Sequence, residues 1–320
     1  MVTEATVAGV ALVLGIVLMT FSSDKAVVHS VKIASALRIS PLMIGLILVS
    51  LGTDLPEIAN SIASSALGHG DINVGDSLGS VLTQMSLVFG LIPFLGGIFR
   101  VKRKEIVVIG VCEVLALIIA VSVVEKGYIS RMNALFLVAS WPIFLLLTRS
   151  ATARNAQEKE HFVGRNDESH LHHLRHWAIA ILGFIGVAIG AYVVIQSVIT
   201  LSAAFHISEY LLSFFLVAIG TSLPEVAIDL TAVRKKQYEL AIGDAIGSCI
   251  ADASFAIGIG PLLMGKINVS GGLAIITGSY AILVCIVIVS TLALRGKIDK
   301  KAGTLFLVLY LLSYTILRVI

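Results

Sequence analysis

Residues 39–57, ISPLMIGLILVSLGTDLPE, and residues 207–225, ISEYLLSFFLVAIGTSLPE, are two copies of one pattern. A second pair lies at the same displacement: residues 75–90, GDSLGSVLTQMSLVFG, and residues 243–258, GDAIGSCIADASFAIG. From 39 to 207 and from 75 to 243 the offset is 168 residues, without a gap. Chance resemblance between apolar helices does not keep Gly-Thr-x-Leu-Pro-Glu and Gly-Asp-x-x-Gly-Ser in one register, so the chain reads as an internal duplication.

Working outward, both copies sit in an apolar chain. Of 320 residues 57% are hydrophobic and 13% charged, with a mean hydropathy of +0.99, whereas soluble domains carry about 25% charged residues. This composition defines a polytopic membrane protein and excludes a kinase, nuclease or Rossmann enzyme as its main body. With ~20 apolar residues per spanning helix, apolar runs predict ten spans, at about 5–22, 40–67, 72–98, 105–124, 132–148, 177–200, 208–233, 239–264, 271–294 and 303–319. The polar segment 149–176 separates a first five-helix repeat (1–148) from a second (177–320). Met1, Val2, Thr3 and Glu4 precede the first apolar run without a Lys or Arg, so the first helix is expected to stay rather than be cleaved as a signal peptide.

Lys and Arg residues alternate in density, with 19 in every second connection and 3 in the others. By the positive-inside rule the 19 are cytoplasmic, which makes 149–176 a cytoplasmic linker and puts both termini outside the cell membrane. Spread over short loops, they form no basic patch for nucleic acid despite the net charge of +3. Five spans per half is an odd number, so the second half enters from the opposite side. The expected architecture is all-α, ten transmembrane helices in two inverted five-helix repeats, an arrangement typical of secondary transporters with a midplane site.

Inside each first motif, Pro56 or Pro224 breaks the helix and frees carbonyls near Gly52-Thr53 or Gly220-Thr221. One residue later comes Glu57 or Glu225. An acid at bilayer depth costs ~3 kcal/mol or more and normally marks an ion path. Carboxylate, carbonyl and hydroxyl oxygens form a hard set suited to Ca²⁺, Na⁺ or Mg²⁺, and two glutamates neutralise one divalent ion. In the second motifs Ser80 and Gln84, and Ser248 and Asp252, are each four apart and share a helix face. Asp76 and Asp244 fit helix caps, vestibule charges or ligands. Cys112, Cys249 and Cys285 lack metal or redox spacing and read as packing residues.

These residues resemble the sodium/calcium exchanger family of the calcium:cation antiporter superfamily, prokaryotic type. GTSLPE at 220–225 matches the family motif, and GTDLPE at 52–57 departs from it at Asp54. The resemblance implies Glu57 and Glu225 as principal Ca²⁺ ligands, with the carbonyls of Thr53 and Thr221, and Ser80, Ser222, Ser248 and Asp252 around Na⁺. It also implies alternating access by sliding of the first and sixth helices. The transported ions are then Ca²⁺ and Na⁺, with no cofactor, no enzymatic activity, the bilayer as surroundings, and a monomer sufficient for transport. Three departures matter: Asp54 for Ser, Gln84 for Asn, and Asp76 and Asp244 for Asn. Asp54 and Glu57 are three apart and can share a face, so one can carry a proton in an empty site; Asp54 pointing away as a helix cap or hydrogen-bond partner is the other reading. H⁺ coupling is therefore the alternative to Na⁺. A channel is disfavoured by the inverted repeat, and a hydrolase by the lack of a His or Cys near the acids.

Weaker signals are His170, His172, His173 and His176, read as a solvated cytoplasmic face over a metal or pH site. Asp229 either extends an acidic path or pairs with Arg234. Gly183, Gly186 and Gly190 suit close helix packing or sliding.

Overall fold

The computed structural model describes residues 2–36, 50–95, 97–152, 170–234, 236 and 238–315. Helix α1 (Val2–Ala36) is followed by a broken pair, α2 (Ser50–Thr53) and α3 (Leu55–Leu67). Helix α4 (Gly70–Leu82) runs through a π-helical segment, Thr83–Val88, into α5 (Phe89–Leu95). Next come β1 (Phe99–Arg100), α6 (Arg103–Val124), β2 (Tyr128–Ile129) and α7 (Arg131–Thr152). After residue 169 the chain forms α8 (His170–Phe205), α9 (Glu209–Leu212), a π segment Ser213–Val217 and the short α10 (Ala218–Thr221). The rest is α11 (Leu223–Arg234), α12 (Tyr238–Ala251), a π segment Asp252–Ala256, α13 (Ile257–Met264), β3 (Ile267–Asn268), α14 (Gly271–Arg295), β4 (Lys297–Ile298) and α15 (Lys300–Ser313).

Among the described residues, 8 helical stretches are long and apolar enough to cross a membrane. The protein is therefore an all-helical membrane protein with multiple spans. Of the two further expected spans, residues 40–49 of the second lie outside the described residues, and the last is described as the 14-residue α15, with 316–320 outside. Helices α1 and α8 extend well past the expected 5–22 and 177–200. Lys25 and Lys32, expected in a connection, thus lie on α1, and the His170–His176 run lies on α8. Arg38 and linker residues 153–169 fall outside the described residues.

The interior is built from the two spans that carry the second motif. Gly70–Leu95 and Ala241–Met264 are mostly buried, whereas Thr3–Ser30 and Arg175–Phe205 are mostly not. The long α1 and α8 therefore form an outer pair, packed side by side. Their approach is close because Gly183, Gly186 and Gly190 face Ala26, Ser22 and the Gly15 carbonyl of α1, leaving no room for a Cβ. Packing is thus a role that all three glycines have. On its other face α1 exposes Val7, Val10, Leu14 and Val17, a surface suited to lipid rather than water. Cys112, Cys249 and Cys285 are buried and free, as expected for packing residues.

Connections far apart in sequence meet at the ends of the bundle. Strand β1 pairs antiparallel with β4 in the register Phe99–Ile298, and β2 with β3 in the register Tyr128–Asn268. His69 Nδ1 lies 2.8 Å from Glu209 Oε2, and the Ser270 amide and hydroxyl donate to Asp71 at 2.5 and 2.6 Å.

Candidate cation site

Two helix breaks position the site. Pro56 has no N–H, so the Gly52 carbonyl four residues earlier loses its helical donor. It is not left free, as the sequence suggested; Ser23 Oγ of α1 donates to it at 3.1 Å. At the junctions, Asp54 (φ −80, ψ 9) and Ser222 (φ −78, ψ 5) adopt the same bridge-region conformation. Each chain then resumes helix, with Ile58 N–H donating to Asp54 O at 2.9 Å and Val226 N–H to Ser222 O at 3.1 Å. Glu57 and Glu225 consequently stand in the first turns of α3 and α11, where the helix dipole favours a negative side chain.

Around these breaks the carboxylates are almost sealed from solvent: Asp54 and Glu57 are 1% exposed, Glu225 and Asp252 0%. Ser248 Oγ donates to Asp54 Oδ1 at 2.5 Å. Ser80 Oγ donates to Glu57 Oε1 at 3.5 Å and lies 3.3 Å from Thr221 Oγ1. Gln84 Nε2 donates to Asp252 Oδ2 at 3.1 Å, joining two residues that are themselves 168 apart. Left over are Asp54 Oδ2, Glu57 Oε2, both oxygens of Glu225, Asp252 Oδ1 and Ser222 Oγ, all buried without a hydrogen-bond partner. Burying such a group unpaired costs roughly 2–7 kcal/mol, and a set of them asks for a cation. Among the described residues no three His, Cys, Asp or Glu side chains converge as a metal centre, so hydroxyl and carbonyl oxygens must complete any coordination sphere.

The hydrogen bonds therefore form three separate sets, Glu57–Ser80–Thr221, Gln84–Asp252 and Asp54–Ser248, and Thr53 and Ser222 flank the breaks. Asp54 makes no side-chain cap bond to its helix, so the cap half of the alternative reading fails, while its other half, a hydrogen-bond partner, is met by Ser248. The capping reading of Asp76 and Asp244 also fails, because each is the seventh residue of its helix. Asp76 instead accepts from Asn60 Nδ2 at 2.5 Å and Thr221 Oγ1 at 2.9 Å. Asp229 does not pair with Arg234; both its oxygens are buried and unpartnered. His176 is not part of a solvated face: it is 7% exposed, with Nδ1 2.7 Å from His29 Nδ1.

Two residues were missed. Asn60 supports Asp76, and its signal was an amide three residues after Glu57. Glu113 in α6 is fully buried with both oxygens unpartnered, and an acid in the middle of an apolar run was signal enough.

A helical membrane bundle with a buried cluster of acids around two matching helix breaks is the architecture of an ion carrier. A family model, Sodium/calcium exchanger protein, matches residues 7–149 and 175–319. The chain belongs to the sodium/calcium exchanger family. Uncharacterized membrane protein MJ0091 of Methanocaldococcus jannaschii is 29% identical over 307 residues, covering 95% of this chain and 96% of that one. Sodium/calcium exchanger MaX1 of Methanosarcina acetivorans is 24% identical over 342 residues, covering 96% and 97%. A structure of the sodium-calcium exchanger NCX_Mj, soaked with Na⁺ and Sr²⁺, superposes with a TM-score of 0.61 at 27% identity, covering 98% of this chain and 99% of that one.

Proposed function

We propose that this protein is a secondary antiporter that exchanges Ca²⁺ for Na⁺ by alternating access at a site centred on Glu57 and Glu225. The observation that carries this reading is the unpartnered set of buried carboxylate oxygens at two junctions of matching backbone conformation. Two glutamates offset one divalent charge, and the same oxygens bind Na⁺ when Ca²⁺ leaves, so the ions compete and exchange rather than co-migrate. Thr53 and Thr221 add carbonyls, and Ser80, Ser222, Ser248, Gln84 and Asp252 line the adjoining positions. Ten spans in two inverted halves, 1–148 and 177–320, fit the contacts between connections. Those expected outside touch one another (His69 with Glu209, Asp71 with Ser270, Tyr128 with Asn268), and those expected inside do so too (Arg100 with Lys297).

One observation favours a second reading, proton coupling. Asp54, where the resembled family has Ser, is buried beside the glutamates with Oδ2 unpartnered, which adds an acid able to exchange H⁺ for a cation. Radiolabelled Ca²⁺ uptake into proteoliposomes loaded with Na⁺, with K⁺, or bearing a proton gradient separates the two. Uptake driven by internal Na⁺ alone supports the first; uptake driven only by the proton gradient replaces it with the second.

A further inference from the structure

The duplicated halves differ one turn beyond each glutamate. In the first, Asn60-Ser61 follow Glu57 in α3; at the same offset the second has Ile228-Asp229 in α11. In the first pair both side chains are engaged: Asn60 Nδ2 donates to Asp76, which also accepts from Thr221, and Ser61 Oγ accepts the Gly260 amide at 3.1 Å; the Asn60 oxygen alone is left over. In the second, the amide donor is gone and a carboxylate has appeared. Asp229 is 0% exposed with both oxygens unpartnered, and Oδ2 of Asp244, the counterpart of Asp76, is buried and unpartnered too.

Helix geometry makes these two acids neighbours. Asp229 lies four residues after Glu225 on α11, and Asp244 four before Ser248 on the adjacent α12. Each is thus one turn, ~5.4 Å along its axis, from the central site, displaced toward the same α11–α12 connection. The helices pack together, and the charge of Asp244 acts on both Asp229 and Asp54. Arg234, five residues on from Asp229, points about 140° around the helix and is exposed, so it does not neutralise the pair. Asp244 is half-buried whereas Asp76 is buried, so of this pair Asp244 lies nearer to solvent and Asp229, fully buried, lies behind it.

We propose that Asp229 and Asp244 form a second subsite for a hard divalent cation, a loading position between the α11–α12 end of the bundle and the central glutamates. Its two carboxylates match one divalent charge, and its relation to transport rests on the exchanger reading above. The test is equilibrium binding of radiolabelled Ca²⁺ to the full chain in detergent, with folding checked by gel filtration and thermal unfolding. Wild type is expected to bind one more equivalent than Asp229→Ser, which installs the residue that the first half carries at this position, and than Asp244→Asn; Asp229→Glu should retain it. A Glu225→Gln chain should lose the central equivalent and keep this one. Wild-type stoichiometry in folded Asp229→Ser and Asp244→Asn overturns the subsite and leaves the central site standing. Loss only in those two variants, with Glu225→Gln unchanged, keeps the subsite and overturns the central reading.

Discussion

Glu225 presents two buried carboxylate oxygens without a protein partner and Glu57 presents one, so under the proposed function a bound cation offsets their charges. Replacing either by Gln keeps the shape and removes one of two neutralising charges. Leaving a buried charge uncompensated costs about 3–5 kcal/mol, on the order of 100- to 4,000-fold in affinity, so Glu57→Gln and Glu225→Gln should each abolish Ca²⁺ exchange in a protein that still elutes as folded. Near-normal flux in both would refute the assignment. Asp54 calls for a different test, because Ser248 already holds one of its oxygens. A proton on Asp54 competes with cations, so wild-type transport should fall as pH drops from about 8.5 to 5.5, and Asp54→Ser should flatten that profile while transport survives. Superimposable profiles would show that Asp54 plays no part in coupling, and total loss would make it a primary ligand.

At the scale of elements, the breaks were legible and the lengths were not. Gly and Pro at 52, 56, 220 and 224 have a direct backbone consequence, so the kinks could be placed from sequence. Helices α1 and α8 outran their apolar cores because Lys25, Lys32 and His176 are compatible with helix, and nothing in hydropathy marks where a helix ends outside lipid. The partner of Asp54, Ser248, was equally hidden, since 194 residues separate them and only packing of α12 on α2 joins them. Helix α15 shows a terminus set by chemistry: Asp299 accepts the Ala302 amide at 3.0 Å and pairs with Arg295 at 2.5 Å and Lys297 at 3.3 Å. The Ala302 amide above all, and then these two cations, hold its carboxyl down to about 2. A depressed acid contributes stability that is present above its unfolded value and is lost as pH falls through the folded one. Asp299→Ala should therefore cost about 1 kcal/mol at neutral pH, and the deficit relative to wild type should shrink below about pH 4, read by thermal unfolding in detergent across pH.

For the whole molecule, duplication was visible as an offset, but orientation had to come from charge, and the two can be checked against each other. Equal offset says only that the halves are alike; inversion follows from an odd number of spans, one of which lies partly outside the described residues. The contacts at the bundle ends supply an independent restraint. If the connection at His69 and the turn at Glu209 are bonded to each other, they share a side of the membrane, and the pairing of Arg100 with Lys297 joins two of the basic connections. The positive-inside rule predicts that this basic side is cytoplasmic. Single cysteines near His69 and near Phe205 should then react with impermeant thiol reagents in intact cells, whereas cysteines in 149–176 should react only after permeabilisation. The native Cys112, Cys249 and Cys285 are buried and should give a low background. Labelling of 149–176 with protection of both His69 and Phe205 would reverse the orientation without disturbing the fold, while opposite behaviour at His69 and Phe205 would break the shared-side restraint and with it the inverted arrangement.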